Sequence, residues 1–547
     1  MIGNLVDQFV GIFAPTTAAR RMHARATMQQ ISAFSGGSAT GGYKAGKLNR
    51  LTKGYQPGST SENAQPRADI ARMRALSWDL YRNNPQARKI CRSLESKVIG
   101  RGMRLQSQAT KPDGSAHVEF RTRVRVLWNL VQTKLDYRGV PSKGGQLFSD
   151  LCKTALRACV LSGESLYRFR SGDRDGNMPT EMIQLIHADR LVDSLRVDPS
   201  ALAGSYFFGI ELDSEERRIA YHFSKYHPND PRGLATAGEI VRVDASQIGH
   251  LYIADDIDQL RGIPWFGPVL LKNQETSDYE YSELKAAAVS ACVVLGYRRS
   301  SGQNAFGLQQ PDEWDLTDAD GNKLTAMQPG MLMDLGRTGE IQGFNPMRPN
   351  SNASEFINHM VRSQAAGVPG TKGSTLTGDY RKSSFSSERS ADNDIWPEIE
   401  GVQDWFAANF CQPIYERVVF SAVLNGWFAD LVSLDDFVAR KNDYLAATWH
   451  GPVGRSINPT DDAKAARLRV QNGQSSPQIE AALLGRDWQE IVRDVDEYLE
   501  FCEQNDIPDS VIAQTLGIDQ QDQPLEDPED KETANGADPS AGKDEED

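Results

Sequence analysis

Apolar residues recur every three or four positions along four successive stretches between residues 70 and 159. A period near 3.6 predicts amphipathic helices that share one core. Asn84 followed by Pro85 marks the start of the second helix, because Asn caps a first turn and Pro suits the first helical position. Gly100 ends that helix. The stripes are Ile70, Met73, Leu76 and Leu80; Ile90, Leu94 and Val98; Phe120, Val124, Leu127, Val131 and Leu135; and Phe148, Leu151, Ala155 and Cys159.

After these stripes the pattern changes to short runs in which apolar and polar residues alternate. A period of two predicts strands, and the runs indicate a mixed, largely antiparallel sheet on a helical base. The fold class predicted from the sequence is therefore α+β with helices dominant. The runs are Leu166–Arg170, Met182–His187, Tyr206–Leu212, Ile219–Phe223, Ile240–Val243 and Ile248–Ile253.

Helical patterns return in the second half of the chain. A long helical segment is predicted over Phe266–Val294, followed by Gly-rich, strand-like chain to Phe344. Gly, Pro and hydroxyl residues predict a loop over Val368–Ser384. The remaining predicted helices are Ser354–Ala366, a segment over Phe385–Gly426 that Pro397 and Pro413 can kink, and short helices over Thr460–Leu516.

The net charge of −14 is unevenly distributed. Residues 1–138 hold 23 Lys and Arg against 8 Asp and Glu, whereas residues 519–547 hold 2 against 12. The sequence thus predicts a basic end, an acidic body that is no general nucleic-acid binder, and a solvated acidic tail. Residues 32–66 are rich in Gly, Ser, Thr and Gln, which predicts a flexible arm. The six cysteines form no C-x-x-C pair and no window holds roughly 18 apolar residues, so we expect neither a disulfide scaffold nor a membrane span.

Motifs that would carry catalysis are incomplete. Gly41, Gly46 and Lys47 have the spacing of a phosphate-binding loop, but Leu48 stands where a Ser or Thr should hold magnesium. The acidic run Asp255–Asp258 lacks the glycine turn and distal Glu of a calcium loop, which favours a solvated loop.

Two further polar groups favour structural roles. Glu164, with Asp189 and Arg190, fits a buried salt bridge better than a catalytic carboxylate. His187 precedes Asp189, and His222 and His227 flank a Tyr-rich turn; hydrogen-bonded histidines at strand ends are favoured over metal ligands. We therefore predict no catalytic residue, no cofactor and no metal.

Several segments together resemble the lambda-type family of tailed-bacteriophage portal proteins. Arg72–Gly102, with its basic helix, Asn-Asn-Pro and Ile-Gly-x-Gly turn, is similar to the family's opening. The likeness covers roughly residues 67–505 in the family's order. It continues through Gly163-Glu164, MIQLIHADRL, Gly209–Asp213, His227-Pro228, IGHLYIADDIDQLRGIPWFGPVL, Leu376–Tyr380 and Phe385–Arg389.

The resemblance implies a phage portal fold with a wing, a stem, a clip and a crown, assembled as a dodecameric ring at one capsid vertex. It divides the chain as follows: a flexible basic arm at 1–66, a wing at 67–265, a first stem helix at 266–294, a clip at 295–345, a second stem helix at 351–367, a channel loop at 368–384, a long kinked helix and wing return at 385–458, crown helices at 459–518 and a disordered acidic tail at 519–547.

The implied function is a channel for packaging and ejection of double-stranded DNA. Implied partners are the terminase large subunit, which would supply ATP hydrolysis and DNA cleavage, major capsid and scaffold proteins, and head–tail connector proteins, with no membrane. The expected location is the virion's portal vertex, and the host cytoplasm during assembly.

Six residues are candidates for contact with DNA in the channel. Lys372, Arg381 and Lys382 in the predicted loop would centre the duplex, and acids of the first stem helix would repel its phosphates and let it slide. Those acids are Glu275, Asp278 and Glu283. For the acids, a solvated helix face or inter-subunit ion pairs is an equally open interpretation. For the cations, the alternative is an ordinary surface loop.

Two other classes of protein compete with the portal interpretation. A packaging nuclease or ATPase would need an acidic metal cluster or a complete phosphate loop. A capsid scaffold or minor head protein would need a coiled-coil or low-complexity majority, whereas this chain has globular patterning over most of its length.

Overall fold

The computed structural model describes residues 66–172, 181–192, 204–232, 239–291, 353–379, 384–454, 459–484, 486 and 488–516, with four short strands between 295 and 334. The predicted arm up to residue 65, including the run at Gly41–Lys47, and the predicted tail at 519–547 lie outside the described residues. Within the described part, no helix has the length and apolarity needed to cross a bilayer.

The helices predicted for the first part of the chain are confirmed. Asn84 caps the second helix by accepting hydrogen bonds from the backbone N–H groups of Gln86 (2.9 Å) and Ala87 (3.0 Å). The helix continues as a π-helical turn over Glu95–Ile99 and ends at Gly100, whose φ is 56°. The elements are α1 (Pro66–Asn83), α2 (Pro85–Leu94), β1 (Arg104–Ser107), α3 (Val118–Val131) and α4 (Phe148–Ser162).

The buried face of α1 differs from the predicted apolar stripe. Leu76 is 45% exposed, whereas Arg74 and Ser77 are buried beside Ile70. The reason is electrostatic, since Arg74 pairs with the buried carboxylate of Glu164 and so turns a polar face of α1 towards the interior. The stripes of α3 and α4 are buried as predicted.

The alternating runs form two antiparallel sheets, and the prediction of one mixed sheet was wrong. The first sheet has the order β3-β2-β8 and the second β4-β5-β6-β7, and one apolar cluster contains residues of both. Pairing between strands far apart in sequence decides this division, which alternation alone cannot reveal. The strands are β2 (Glu164–Ser171), β3 (Glu181–Ile186), β4 (Ser205–Phe207), β5 (Ile210–Leu212), β6 (Arg218–Ser224), β7 (Ile240–Asp244) and β8 (Ile248–Tyr252).

The run Tyr206–Leu212 was predicted as one strand and is a hairpin. Phe208 and Gly209 both have positive φ, 48° and 88°, which reverses the chain between β4 and β5. A Cβ at Gly209 would lie 2.9 Å from the Cβ of Leu191, so glycine also allows close packing there.

The second half contains a long helix and a set of short ones. A 3₁₀ turn at Gly267–Val269 leads into α5 (Leu270–Ala291), and α6 (Ala353–Ala365) follows four short strands. The strands are β9 (Leu295–Tyr297), β10 (Leu316–Thr317), β11 (Lys323–Leu324) and β12 (Leu332–Asp334). The later elements are α7 (Gly373–Thr377), α8 (Phe385–Phe406), α9 (Gln412–Leu424), α10 (Leu434–Ala439), α11 (Lys441–Leu445), β13 (Ala447–His450), α12 (Pro459–Gln471), α13 (Pro477–Leu483), α14 (Trp488–Gln504) and α15 (Asp509–Leu516).

The helix that begins at Phe385 runs on through a π-helical turn at Ala407–Cys411 into α9. Pro413 stands in the first turn of α9, where its missing N–H suits the wider turn before it. The predicted helix over this segment is confirmed, and it ends at Leu424.

The main core joins an early and a late segment of the described chain. The ring of Phe120 in α3 lies 4.6 Å from that of Phe428, and Tyr167 in β2 lies 4.9 Å from Phe410. β1 pairs with β13 antiparallel. Residues 98–159 and 399–445 therefore supply most of one hydrophobic interior.

Candidate functional site

Helices α5 and α6 lie side by side and run antiparallel. Lys272 Nζ donates to Ser363 Oγ at 2.6 Å, and the ring of Tyr279 lies 5.0 Å from that of Phe356. Gln364 Nε2, buried in the contact, donates to Thr276 Oγ1 at 2.9 Å. The contact between these helices is therefore largely polar, and the two predicted stem helices form a pair within one chain.

Two of the three candidate acids of α5 lie outside that contact. Glu275 and Asp278 are exposed, on the side of the helix away from buried Thr276. Glu283 lies eight residues after Glu275, which places it about 80° further round the helix, and it is partly buried. Gln274 Nε2 donates to Asp278 Oδ1 at 3.1 Å. Two of the three acids thus share a face.

Exposed apolar side chains accompany the acids on this helix pair. Leu271, Tyr281 and Leu284 on α5 and Phe356 on α6 are all exposed, Leu271 by 77%. Apolar surface of this size on a helix is typical of a face that another protein surface covers.

The predicted loop Val368–Ser384 is only partly a loop. Its residues 373–377 form the helix α7, which was not predicted. The side chain of Leu376 holds this helix against the apolar cluster that includes Leu94 and Val361. Gly378, with φ 66°, ends that helix. Arg381 and Lys382 lie outside the described residues.

Side-chain and backbone contacts fasten the first half of this segment to α8. Glu398 accepts from the backbone N–H of Gly370 at 2.8 Å, and Lys97 Nζ donates to the Gly370 carbonyl at 3.1 Å. Gly370 has φ 67°, and a Cβ there would lie 2.4 Å from Ile399 Cδ1. The positive φ is the stronger reason for glycine at this position, since the Ile399 methyl can shift.

Lys372 is engaged within its own chain. Its Nζ lies 2.6 Å from Glu388 Oε2 and 2.8 Å from Asp392 Oδ1, and its side chain is 13% exposed. Burial opposes its charge, but the hydrogen bonds to Asp392 and Glu388 outweigh burial and raise the pKa of Lys372. No pattern in the sequence predicts this pairing, because Glu388 and Asp392 lie 16 and 20 residues after Lys372. Among the six candidates, the described ones are therefore divided between the α5 face and this ion-paired site.

A buried ionic centre holds α1, the two sheets and the entry to α5 together. Glu164 is fully buried and accepts from Arg74 Nη2 (2.6 Å), Arg261 Nε (2.8 Å), His250 Nε2 (2.9 Å) and the backbone N–H of Gly262 (3.0 Å). Burial opposes its ionisation, but Arg261 and Arg74 outweigh burial and hold the pKa of Glu164 well below its usual range. Glu164 is thus a buried salt bridge as predicted, with Arg74 and Arg261 as partners instead of Arg190.

The other polar motifs occupy turns. Gln259 Oε1 accepts from the backbone N–H groups of Asp255 and Asp256, and the acids of this run are exposed, which is the predicted solvated loop. His222 Nε2 lies 3.1 Å from Glu211 Oε2 within the second sheet. His187 and His227, which the sequence analysis did not pair, lie close to each other beside Asp189.

Comparisons with known proteins identify relatives along most of the chain. Residues 48–403 match the family model described as phage portal protein, lambda family. A probable portal protein of Halomonas phage phiHAP-1 is 23% identical over 91% of this chain and 93% of its own length. The portal protein of Escherichia phage N15 is 18% identical over 85% of this chain and 90% of its own.

A solved structure also matches in part. A chain from the neck of a native gene transfer agent particle computed with C12 symmetry is 14% identical, over 77% of this chain and 94% of its own, with a TM-score of 0.37. The assignment to a family rests on the sequence matches.

Proposed function

Because the chain belongs to the lambda family of phage portal proteins, we propose that it works as one subunit of a dodecameric ring through which double-stranded DNA passes. Membership in this family makes the chain a portal protein of the virion's capsid vertex, and its role in the packaging channel follows from that membership. The family match over residues 48–403 is the observation that carries the proposal.

The helix pair α5–α6 supports assignment of residues 266–294 and 351–367 to the stem. Its polar internal contact and its exposed Leu271, Tyr281, Leu284 and Phe356 suit a helix pair that a neighbouring subunit covers. In the ring, Glu275 and Asp278 would face the lumen or a subunit boundary. A lumen of carboxylates repels phosphate and lowers resistance to sliding.

The segment 368–384 is proposed as the channel loop, with Arg381 and Lys382 as its DNA-contacting cations. Lys372 has a different role in this proposal. Since its ammonium group is held between Glu388 and Asp392, it positions the loop on α8 instead of contacting phosphate.

Partners follow from the same family. We assign residues 295–345 to the clip, which would dock the terminase large subunit and later the head–tail connector proteins. The wing at 67–265 with 385–458, and the crown at 459–518, would contact capsid and scaffold proteins during assembly in the host cytoplasm. We assign no enzymatic step to this chain: ATP hydrolysis and DNA cleavage belong to the terminase.

Ring formation is tested by native mass spectrometry and negative-stain imaging of the purified full chain. The expected result is closed rings with a central hole and about twelve subunits. A stable single chain at micromolar concentration under several salt conditions contradicts the proposal.

The channel loop is tested by the double change Arg381→Ala, Lys382→Ala in a packaging assay. We expect normal rings but less packaged or retained DNA, with a deficit that varies with ionic strength because salt screens contacts between cations and phosphate. Lys111→Ala, Lys143→Ala is a matched control, since both of these lysines are exposed on turns far from the loop in sequence. Wild-type packaging by the loop variant at every salt concentration contradicts the assignment.

The role of Lys372 is separable from that of the other two cations. If Lys372 positions the loop through its ion pairs, then Lys372→Ala and the double change Glu388→Gln, Asp392→Asn remove the same interaction and reduce packaging alike. If Lys372 contacts phosphate, only its own substitution reduces packaging, and removal of the two acids leaves packaging intact.

A further inference from the structure

Two histidines and one aspartate meet at the junction of the two sheets. His187 and Asp189 lie at the 3₁₀ turn that follows β3, and His227 lies on the turn that follows β6. One ligand atom of each residue lies within 4.8 Å of those of the other two. All three side chains are about one-third exposed, so solvent ions reach them.

The distances fit a metal polyhedron better than direct hydrogen bonds. His187 Nδ1 and His227 Nε2 each lie 3.5 Å from Asp189 Oδ2. Nitrogen–oxygen hydrogen bonds have lengths of about 2.7–3.2 Å. Ligands about 2.0–2.2 Å from a tetrahedral ion are about 3.3–3.5 Å apart. One carboxylate oxygen thus stands at a tetrahedral edge length from two imidazole nitrogens.

The surroundings orient Asp189 for this role. Arg74 Nη1 lies 3.3 Å from Asp189 Oδ1, which leaves Oδ2 to the two histidines. Arg74 also contacts Glu164 at 2.6 Å, a carboxylate that it shares with Arg261. The rings of His187 and His227 are 4.9 Å apart and nearly perpendicular, and the His187 ring lies 5.9 Å from that of Trp78.

We propose that His187, Asp189 and His227 bind a first-row divalent transition-metal ion, of which Zn²⁺ is the probe of choice. A donor set of two imidazoles and one carboxylate binds such ions in preference to Mg²⁺ or Ca²⁺. Three protein ligands leave a position for water. The ion would join the turn after β3 to the turn after β6, and so cross-link the two sheets.

Binding has a cost that the structure identifies. The Nδ1 atoms of both rings accept backbone N–H groups at 3.2 Å, from Asp189 for His187 and from Asn229 for His227. A metal on His227 Nε2 moves the ring proton to Nδ1 and releases the exposed N–H of Asn229 to water. On His187, the ion takes the lone pair that now faces the N–H of Asp189. Affinity is therefore lower than that of a site built without such competition.

The same backbone contacts supply matched variants. An Asn side chain accepts from the N–H two residues on, as His187 and His227 do here, but offers no imidazole. His187→Asn and His227→Asn therefore keep the turns and remove one ligand each. His359→Ala is the control, because His359 is an exposed histidine on α6 in the second half of the chain.

The test is calorimetric titration of the purified full chain with Zn²⁺ in excess millimolar Mg²⁺, which saturates weak carboxylate sites. We expect one Zn²⁺ per chain, a raised melting temperature on binding, and a visible absorption band of tetrahedral type with Co²⁺. Each Asn variant should weaken binding at least about tenfold, since even residues that only support metal ligands contribute that much. His359→Ala should bind as wild type.

Two results overturn the proposal. The wild type shows no saturable Zn²⁺ binding, or a folded Asn variant binds Zn²⁺ with the wild-type affinity and Co²⁺ spectrum. The inference does not depend on the channel role, because ring formation and packaging are measured in other assays.

Discussion

Glu164→Gln is the most informative single change for the stability of the fold. The carboxylate offers its oxygens to Arg74, Arg261, His250 and the N–H of Gly262, all within 3.0 Å. An amide keeps one oxygen and turns an NH₂ group towards donors that already point at it. It also leaves two guanidinium groups, less than 8% exposed, without the carboxylate charge that they share.

Removal of one partner of a buried ion pair lowers the free energy of unfolding by about 3–5 kcal/mol, and we expect a loss of this size for Glu164→Gln. Against a typical total of about 5–15 kcal/mol, this is a large fraction of the stability. The assay is urea denaturation of the variant and the wild type, with hydrogen exchange of β2 as a local readout. Asp430→Asn is the control, because its pair with Arg123 is exposed and exposed ion pairs contribute little to stability.

The pH dependence gives this prediction a second test. Because the folded-state pKa of Glu164 is depressed, its stabilisation is fully present above the unfolded pKa of about 4.3 and is lost as pH falls towards the folded value. The difference in free energy of unfolding between the wild type and Glu164→Gln should therefore be constant around neutral pH and become smaller in acid. If Glu164→Gln lowers the free energy of unfolding at neutral pH by no more than the exposed control does, the reasoning is refuted.

Three further changes test local features. Asn84→Ala should reduce stability by about 1 kcal/mol, measured by urea denaturation, because two N–H groups of α2 lose their acceptor. Gly163→Ala should abolish soluble protein, since φ is 83° and the new Cβ would lie 2.3 Å from the carbonyl carbon of Ile263; soluble expression at the wild-type level would contradict this. Truncation after Ile518 should leave the melting temperature unchanged, because the residues beyond it are too polar to offset their ordering entropy; a lower melting temperature would show that they pack.

The sequence predicted what depends on neighbouring residues. The cap at Asn84, the stop at Gly100 and the helices α3 and α4 follow from spacing and local hydrogen bonding, and the structure has them as expected. The same local signals predicted the strands individually, except that β4 and β5 were predicted as one strand.

What the sequence did not predict depends on contacts across long separations. The division into two sheets, the pairing of Lys372 with α8 and the burial of Arg74 are decided by partners that no periodic pattern identifies. Arg74 interrupts the stripe: its ion pair with buried Glu164 places the Arg74 face of α1 inside, and Leu76 lies exposed. The meeting of His187 with His227 likewise requires two turns 40 residues apart to converge.

The joint core has a consequence for synthesis on the ribosome. Residues 98–159 bury their apolar faces against residues 399–445. At about 5–20 residues per second, the ribosome needs about 14–57 s to make the chain between residues 160 and 445. During that interval the faces of α3 and α4 lack their cover, and Glu164 waits for Arg261. A nascent chain of this protein is therefore a long-lived client for holding chaperones, and many copies made together are most prone to aggregate before residue 445 emerges.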